Sequence, residues 1–441
     1  MPSLTIRAVL FKGVGDLIPL YALYALLFAE HGLSTGQISS LFAIWSTTSF
    51  LLEVPSGAWA DTVSRRALLV LSGVLLTAGF TLWTVVPTYL GFALGFVLWG
   101  AAGALMSGTF EALLYDDLAA RGAQTSYARI LGYTRAASET AVVVGIVAAT
   151  PLYLWGGYAL IGWSSVGFAA LHTVIAMSLP SAPKVVSAAA IDELEDEVDQ
   201  GYSLGGREPV GASHSVGRYG LPGALVGTGP FARYLSMLKI GVGEAIRMRT
   251  VRNGVLLGAL LFGVTAFDEY FALLAESVGV ATAVVPLLVG LTVLGSLVGA
   301  LLAGRTEGMS GRTMAIAVGL GGILFLGGAL IAGLAEHQPN AVYVLTGLGF
   351  TAIGLSYGIV YNAGIVAGAR LQDTIEGSAR ATVTSVSGLL GEVVALAVFA
   401  FAALATTWWS MSTTLAILGA TILPIALLTP SWLPPSRAGR R

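Results

Sequence analysis

The chain has 441 residues, 56% of them hydrophobic and only 10% charged. A soluble domain carries about 25% charged residues, so this composition argues against a soluble enzyme, a nucleic-acid binder and a disordered chain, and leaves a helical membrane protein. Net charge is −2, cysteine is absent, and the four histidines (His31, His172, His214 and His337) are scattered. Nothing therefore indicates a polyanionic partner, a disulfide, a metal centre or a bound cofactor.

Apolar runs of the ~20 residues that cross a bilayer are read twelve times, at 8–29, 36–57, 67–86, 89–115, 127–149, 152–179, 254–275, 281–303, 313–334, 340–368, 379–404 and 407–429. The first reads as a span rather than a cleavable leader, because Lys12 and Asp16 interrupt it and no small-x-small site follows. Lys and Arg stay on the cytoplasmic side of membranes. With the N-terminus inside, every basic residue except Arg135 in span five falls to the inner side, while the outer loops carry Glu30, Glu276 and Glu336. One span more or fewer would invert the later loops and destroy the pattern. The expectation is a multi-pass protein of the inner (cytoplasmic) membrane with both termini cytoplasmic.

Residues 181–253 form the one long polar segment. It holds the acidic run IDELEDEVD at 191–199, a glycine-rich stretch and FARYLSMLKIGVGEAIRMR at 231–249. The last mixes apolar and basic positions, as does a helix lying on anionic lipid headgroups. The expected organisation is a six-helix half at 1–180, a cytoplasmic linker at 181–253, a second six-helix half at 254–430 and a tail at 431–441. The halves repeat: FAEHGLSTGQISSLFAIWS followed by GAWADTVSRR (57–66) corresponds to LAESVGVATAVVPLLVGLT followed by AGRTEGMSGR (303–312), pairing Gly32 with Gly279, Asp61 with Glu307 and Arg66 with Arg312. Parallel repeats of this kind place a substrate site between them near mid-membrane.

GAWADTVSRR resembles the loop-2/3 signature of the major facilitator superfamily, Gly-x-x-x-Asp-basic-x-Gly-Arg-basic. Gly57, Asp61, Arg65 and Arg66 match, whereas Thr62 and Ser64 depart. EVPSG (53–57) and EALLYDD (111–117) resemble a branch of bacterial proton-coupled exporters. Two other signatures fail: Trp99 stands where an arginine is expected four residues before Gly103, and span five lacks the glycine-flanked Gly-Pro of antiporters. Gly57 is expected to let helices approach closely, and Asp61 to cap the following helix. The resemblance implies a latch in which Arg65 reaches Asp116 or Asp117, closing the inner face in the outward-open state and breaking in the other. Removing Asp61 or Arg65 is expected to impair cycling and spare folding.

Charges at mid-bilayer cost ~3 kcal/mol or more and are candidate functional groups. Asp16, Arg135, Glu139, Asp268, Glu269 and Glu392 all lie ~12–21 Å inside their spans. Lys12 with Asp16, and Arg135 with Glu139, have the i,i+4 spacing of a pair on one helix face. Each pair reads either as a structural ion pair or as a proton-responsive site. Asp268 and Glu269 are adjacent, so only one is expected to face a cavity; Glu392 has no base on its helix. The resemblance implies that spans 1, 4, 7 and 10 line the cavity. They carry Tyr21, Tyr24, Phe110, Glu111, Phe267, Tyr270, Phe271, Tyr357, Tyr361 and Asn362. Such a lining suits amphipathic or cationic molecules. No Walker sequence is present. The expected function is a monomeric, lipid-embedded secondary transporter exporting small amphipathic molecules against protons. The alternatives are a uniporter or symporter for nutrients or sugars, and a lipid exporter on the same fold. A membrane enzyme would need convergent catalytic groups that are not visible.

Overall fold

The computed structural model describes residues 2–181, 184, 248–375 and 380–435. The acidic run 191–199, most of the 231–249 stretch and the end of the tail lie outside the described residues. Secondary structure among the described residues is entirely helical.

The first half contains α1 (Pro2–Asp16), α2 (Tyr24–Glu30), α3 (Thr35–Thr62), α4 (Arg65–Val85), α5 (Tyr89–Met106), α6 (Thr109–Ala120) and α7 (Tyr127–Met177). The second contains α8 (Arg249–Gly263), α9 (Phe271–Ser277), α10 (Val285–Thr306), α11 (Gly311–Leu334), α12 (Val342–Thr374), α13 (Arg380–Ala405), α14 (Met411–Ala420) and α15 (Ile422–Trp432). Starts are marked by hydroxyl caps: Ser34, Ser64, Thr88, Ser310 and Ser410 each accept a hydrogen bond from the backbone N–H three residues on.

Among the described residues, ten stretches are long and apolar enough to cross a membrane. One of them, Gln124–Met177, holds two crossings. Gly13 of α1 faces Ala137 and Gly15 faces His172. A straight helix would separate residues 137 and 172 by ~52 Å, so α7 doubles back at Gly156–Gly157, where Gly157 has φ 58°. Thr35–Thr62, 28 residues long, completes the set of twelve.

Four spans expected to be continuous are broken. Span one stops at Asp16, passes through a 3₁₀ turn at Pro19–Ala22 and resumes as α2. Pro19 lacks an N–H and holds Ile18 extended, at φ −114° and ψ 99°. Span seven tightens into a 3₁₀ segment at Val264–Tyr270 between α8 and α9. Span four breaks at Gly108, with φ 65°, and span twelve at Thr421. The breaks of spans one and seven fall at the same place in the two halves. Each is followed by a short helix ending near a left-handed glycine, Gly32 at φ 82° or Gly279 at φ 90°. That conformation is why glycine recurs in both copies of the repeat.

Within the first half α1 packs on α7, α3 on α5, and α4 on α5 and α7; within the second α10 and α11 pack on α12, α8 on α13, and α11 on α15. The halves meet through α3 with α13, α7 with α10 and α2 with α9. These contacts lie toward the Glu30 end: Gly36 with Ala403, Ile146 with Gly290 and Phe42 with Phe399. Toward the Arg65 end, a Cβ added at Gly57 or Gly388 would meet open space, and Arg135, Glu139 and Tyr361 are exposed. The expected close approach at Gly57 is therefore absent in this conformation.

Candidate functional site

Between the halves lies a cavity of about 230 Å³. The first half contributes Tyr21, Tyr24 and Trp99, and the second contributes Asp268, Glu269, Phe271, Thr292 and Tyr357. Tyr21 stacks on Trp99 with ring centroids 5.1 Å apart and planes 7° apart; Trp45 stacks behind Trp99 at 5.0 Å. The rings form a rigid wall, because each is buttressed by another.

Asp268 and Glu269 both line the cavity, where one alone was expected. The 3₁₀ segment turns ~120° per residue and sits at the boundary between the halves, so the two side chains reach opposite ways. Tyr357 Oη donates to Asp268 Oδ2 at 2.6 Å within the second half. Tyr24 Oη donates to Glu269 Oε2 across the boundary. A second cross-half bond joins Ser39 Oγ and Tyr270 Oη at 2.7 Å.

Several residues expected in the cavity are elsewhere. Tyr270 is fully buried in the contact with Ser39 and Phe42. Asn362 ties two helices of its own half: its Nδ2 donates to Gly299 O at 2.8 Å, and its Oδ1 accepts from Thr306 Oγ1 at 2.9 Å. Phe110 stacks on Phe11 and Phe267 packs on Phe325, both in the core. Glu111 stands in the first turn of α6, outside the cavity lining. Tyr361 lies beside the cavity, its ring 6.2 Å from Tyr357.

The expected Lys12–Asp16 pair does not form. Lys12 Nζ lies 5.6 Å from the centroid of the Phe110 ring, and Asp16 accepts a hydrogen bond from Ser138 Oγ of α7. Both lie within α1, and each side chain turns to another partner instead. Glu139 is near enough to Asp16 and Tyr361 for their charges to interact, and with Arg135 it is exposed. Glu392, which has no base on its own helix, accepts a hydrogen bond from Ser46 Oγ of α3 across the boundary.

At the Arg65 end, Arg65 Nη1 and Asp116 Oδ2 form a 2.5 Å ion pair with side chains only 4% and 3% exposed. Asp117 instead pairs with Arg121, one turn along, at 2.6 Å. Arg66 is exposed, and the Asp61 side chain lies outside the described residues. The Arg65–Asp116 pair is intact while the halves touch at the opposite end. Both residues belong to the first half, so the rocking of one half against the other need not break it. A residue that sequence reasoning passed over occupies the corresponding place in the second half. Buried Arg370, near the end of α12, donates to the carbonyls of Glu307, Met309 and Pro434. Its signal was an arginine near the end of a span whose counterpart ends in Asp116 and Asp117. Trp99 was noticed only as a missing arginine.

Residues 8–391 match the model of the Major Facilitator Superfamily. The chain belongs to that superfamily. No curated protein matches it. Among solved structures it is similar to the nucleoside transporter NupG, at 13% identity with 98% of each chain covered and a TM-score of 0.66. It is also similar to a D-xylose-proton symporter, at 16% identity with 98% of this chain and 97% of the other covered and a TM-score of 0.60. At such identities the likeness concerns the fold. As a superfamily member the chain is a multi-pass secondary transporter and not an enzyme, and neither neighbour is by its name a drug exporter.

Proposed function

We propose that this facilitator moves a small organic molecule by alternating access, coupled to protons through Asp268 and Glu269. The observation that carries the reading is the cavity itself: two carboxylates, each held by a tyrosine hydroxyl, in an aromatic chamber shared by the two halves. A carboxyl buried at that depth has a functional reading by default. It can take a proton while the site opens to one side and release it when the site opens to the other. Asp16, Arg135 and Glu139, toward the exposed end, form a second group through which protons reach water. Arg65, Arg66, Asp116 and Asp117 with Gly57 and Asp61 brace the inner face. The protein works as a monomer in the cytoplasmic membrane, with both termini and the linker on the cytoplasmic side.

The size of the cavity favours a small solute. Sites for drug-sized ligands occupy ~300–1,000 Å³, and about 230 Å³ falls below that range. This supports a symporter of small solutes as a second reading beside export, and the D-xylose-proton symporter is a fold neighbour of that kind. The test is purified protein in liposomes loaded with a pH-sensitive dye. Uridine, D-xylose and benzyltrimethylammonium are added in turn, with a pH gradient of either sign. Solute-elicited proton movement inward with the solute marks symport, and movement against it marks exchange. Solute flux without proton flux, for every probe that moves, would refute the coupling.

A further inference from the structure

The cavity has a charge character that its aromatic wall alone does not convey. Among the described residues its lining contains Asp268 and Glu269 and no lysine, arginine or histidine. It also contains no asparagine or glutamine, the donor–acceptor groups that read neutral hydroxylated rings; the amide expected there, Asn362, is spent on Gly299 and Thr306. What remains is carboxylates facing aromatic rings, the combination that attracts an organic cation, whose charge meets both the carboxylate and the negative face of a ring. The parallel Tyr21–Trp99 stack offers a flat surface for a planar group.

The partners of the carboxylates differ in what they hold. Tyr357 and Asp268 belong to one half, so their bond is indifferent to the opening of the cavity. Tyr24 and Glu269 belong to opposite halves, and their bond fastens the closed end. A cation beside Glu269 competes with the tyrosine hydroxyl for the same oxygen. We propose that the cavity takes a small, ring-bearing organic cation, and that its charge displaces Tyr24 from Glu269 and so loosens the closed end of the molecule. The inference rests on the transport reading above and adds its substrate class and the link from binding to opening.

The test uses the full chain in lipid nanodiscs with benzyltrimethylammonium as cation and uridine and D-xylose as neutral probes, binding measured by calorimetry. The chain has no cysteine, so Ala275→Cys, at a fully buried position on α9, the helix that meets α2 at the closed end, provides a single reporter there, read by its labelling rate with an impermeant maleimide. Benzyltrimethylammonium is expected to bind and to speed labelling. Glu269→Gln should weaken binding about tenfold or more, equivalent to ~1.4 kcal/mol, with Glu269→Asp restoring part of it. Tyr24→Phe removes the competitor, so it should bind the cation at least as tightly and label fast without it. Slow labelling in Tyr24→Phe, or cation binding indifferent to Glu269→Gln in protein that still elutes as a monodisperse peak, overturns the proposal. So does the absence of cation binding at millimolar concentration. If uridine or D-xylose binds in its place and moves protons in liposomes, the substrate class falls while proton-coupled transport stands. If no probe moves protons, the transport reading falls as well.

Discussion

The residues of the site divide by what lies opposite them, and that division sets what each substitution should do. Arg65 and Asp116 are buried together, so Arg65→Ala removes the ion pair of a carboxylate in a place water barely reaches. Breaking such a pair costs ~3–5 kcal/mol. Thermal unfolding in detergent should therefore show Arg65→Ala strongly destabilised and Arg65→Lys less so, contrary to the expectation from the signature that folding would be spared. Asn362 presents the opposite case. Its hydrogen bonds both go to α10 of its own half, so Asn362→Ala should lose ~1 kcal/mol of stability and leave solute affinity unchanged in a binding assay. From sequence, Asp268 and Glu269 could be nominated because charge inside a span is rare, and Tyr21, Tyr24 and Tyr357 because the resemblance assigns spans 1 and 10 to the cavity. Which way each points could not. Asn362, Tyr270 and Glu392 have partners on helices distant in sequence, and span membership says nothing about such partners.

Helices were legible as apolar runs. Their caps were not: Asp61 was expected to cap α4, whereas it lies within α3 and Ser64, counted as a departure from the signature, is the cap. Nor were their interruptions: in Leu17–Leu23 only Pro19 hints at a change, and Val264–Tyr270, although it carries Asp268 and Glu269, holds no proline or glycine to mark a break. These interruptions matter most for the site, since the 3₁₀ segment delivers Asp268 and Glu269 to the cavity. Close packing is likewise invisible to hydropathy. A Cβ on Gly295 of α10 would fall 2.0 Å from Gly354 O of α12, whereas a Cβ on Gly347 of α12 would meet nothing within 4 Å. Gly295→Ala should therefore force the two helices apart and reduce monodisperse protein recovered from membranes. Gly347→Ala should be recovered at the wild-type level. Equal recovery of the two would contradict the α10–α12 seam.

At the scale of the molecule, the repeat, the twelve crossings and the superfamily were all readable, because each is spread over hundreds of residues and tolerates local error. The orientation rests on the bias of basic residues toward one side. A reporter fused at Gln338 should be accessible from outside and one at Gly220 only after permeabilisation. A cytoplasmic signal at Gln338 would reverse the frame in which inner and outer have been used. The conformation, with halves touching near Glu30 and apart near Arg65, was not readable, because one sequence encodes every state of the cycle. The central claim is that the paired carboxylates of the cavity couple solute movement to protons. Its most direct test is pH-gradient-driven accumulation, in liposomes, of whichever probe the wild type transports, compared with the Asp268→Asn, Glu269→Gln double variant. Wild type should concentrate the solute until a protonophore collapses the gradient, while the double variant should at most equilibrate it. A double variant that still concentrates the solute in response to the gradient would contradict the account.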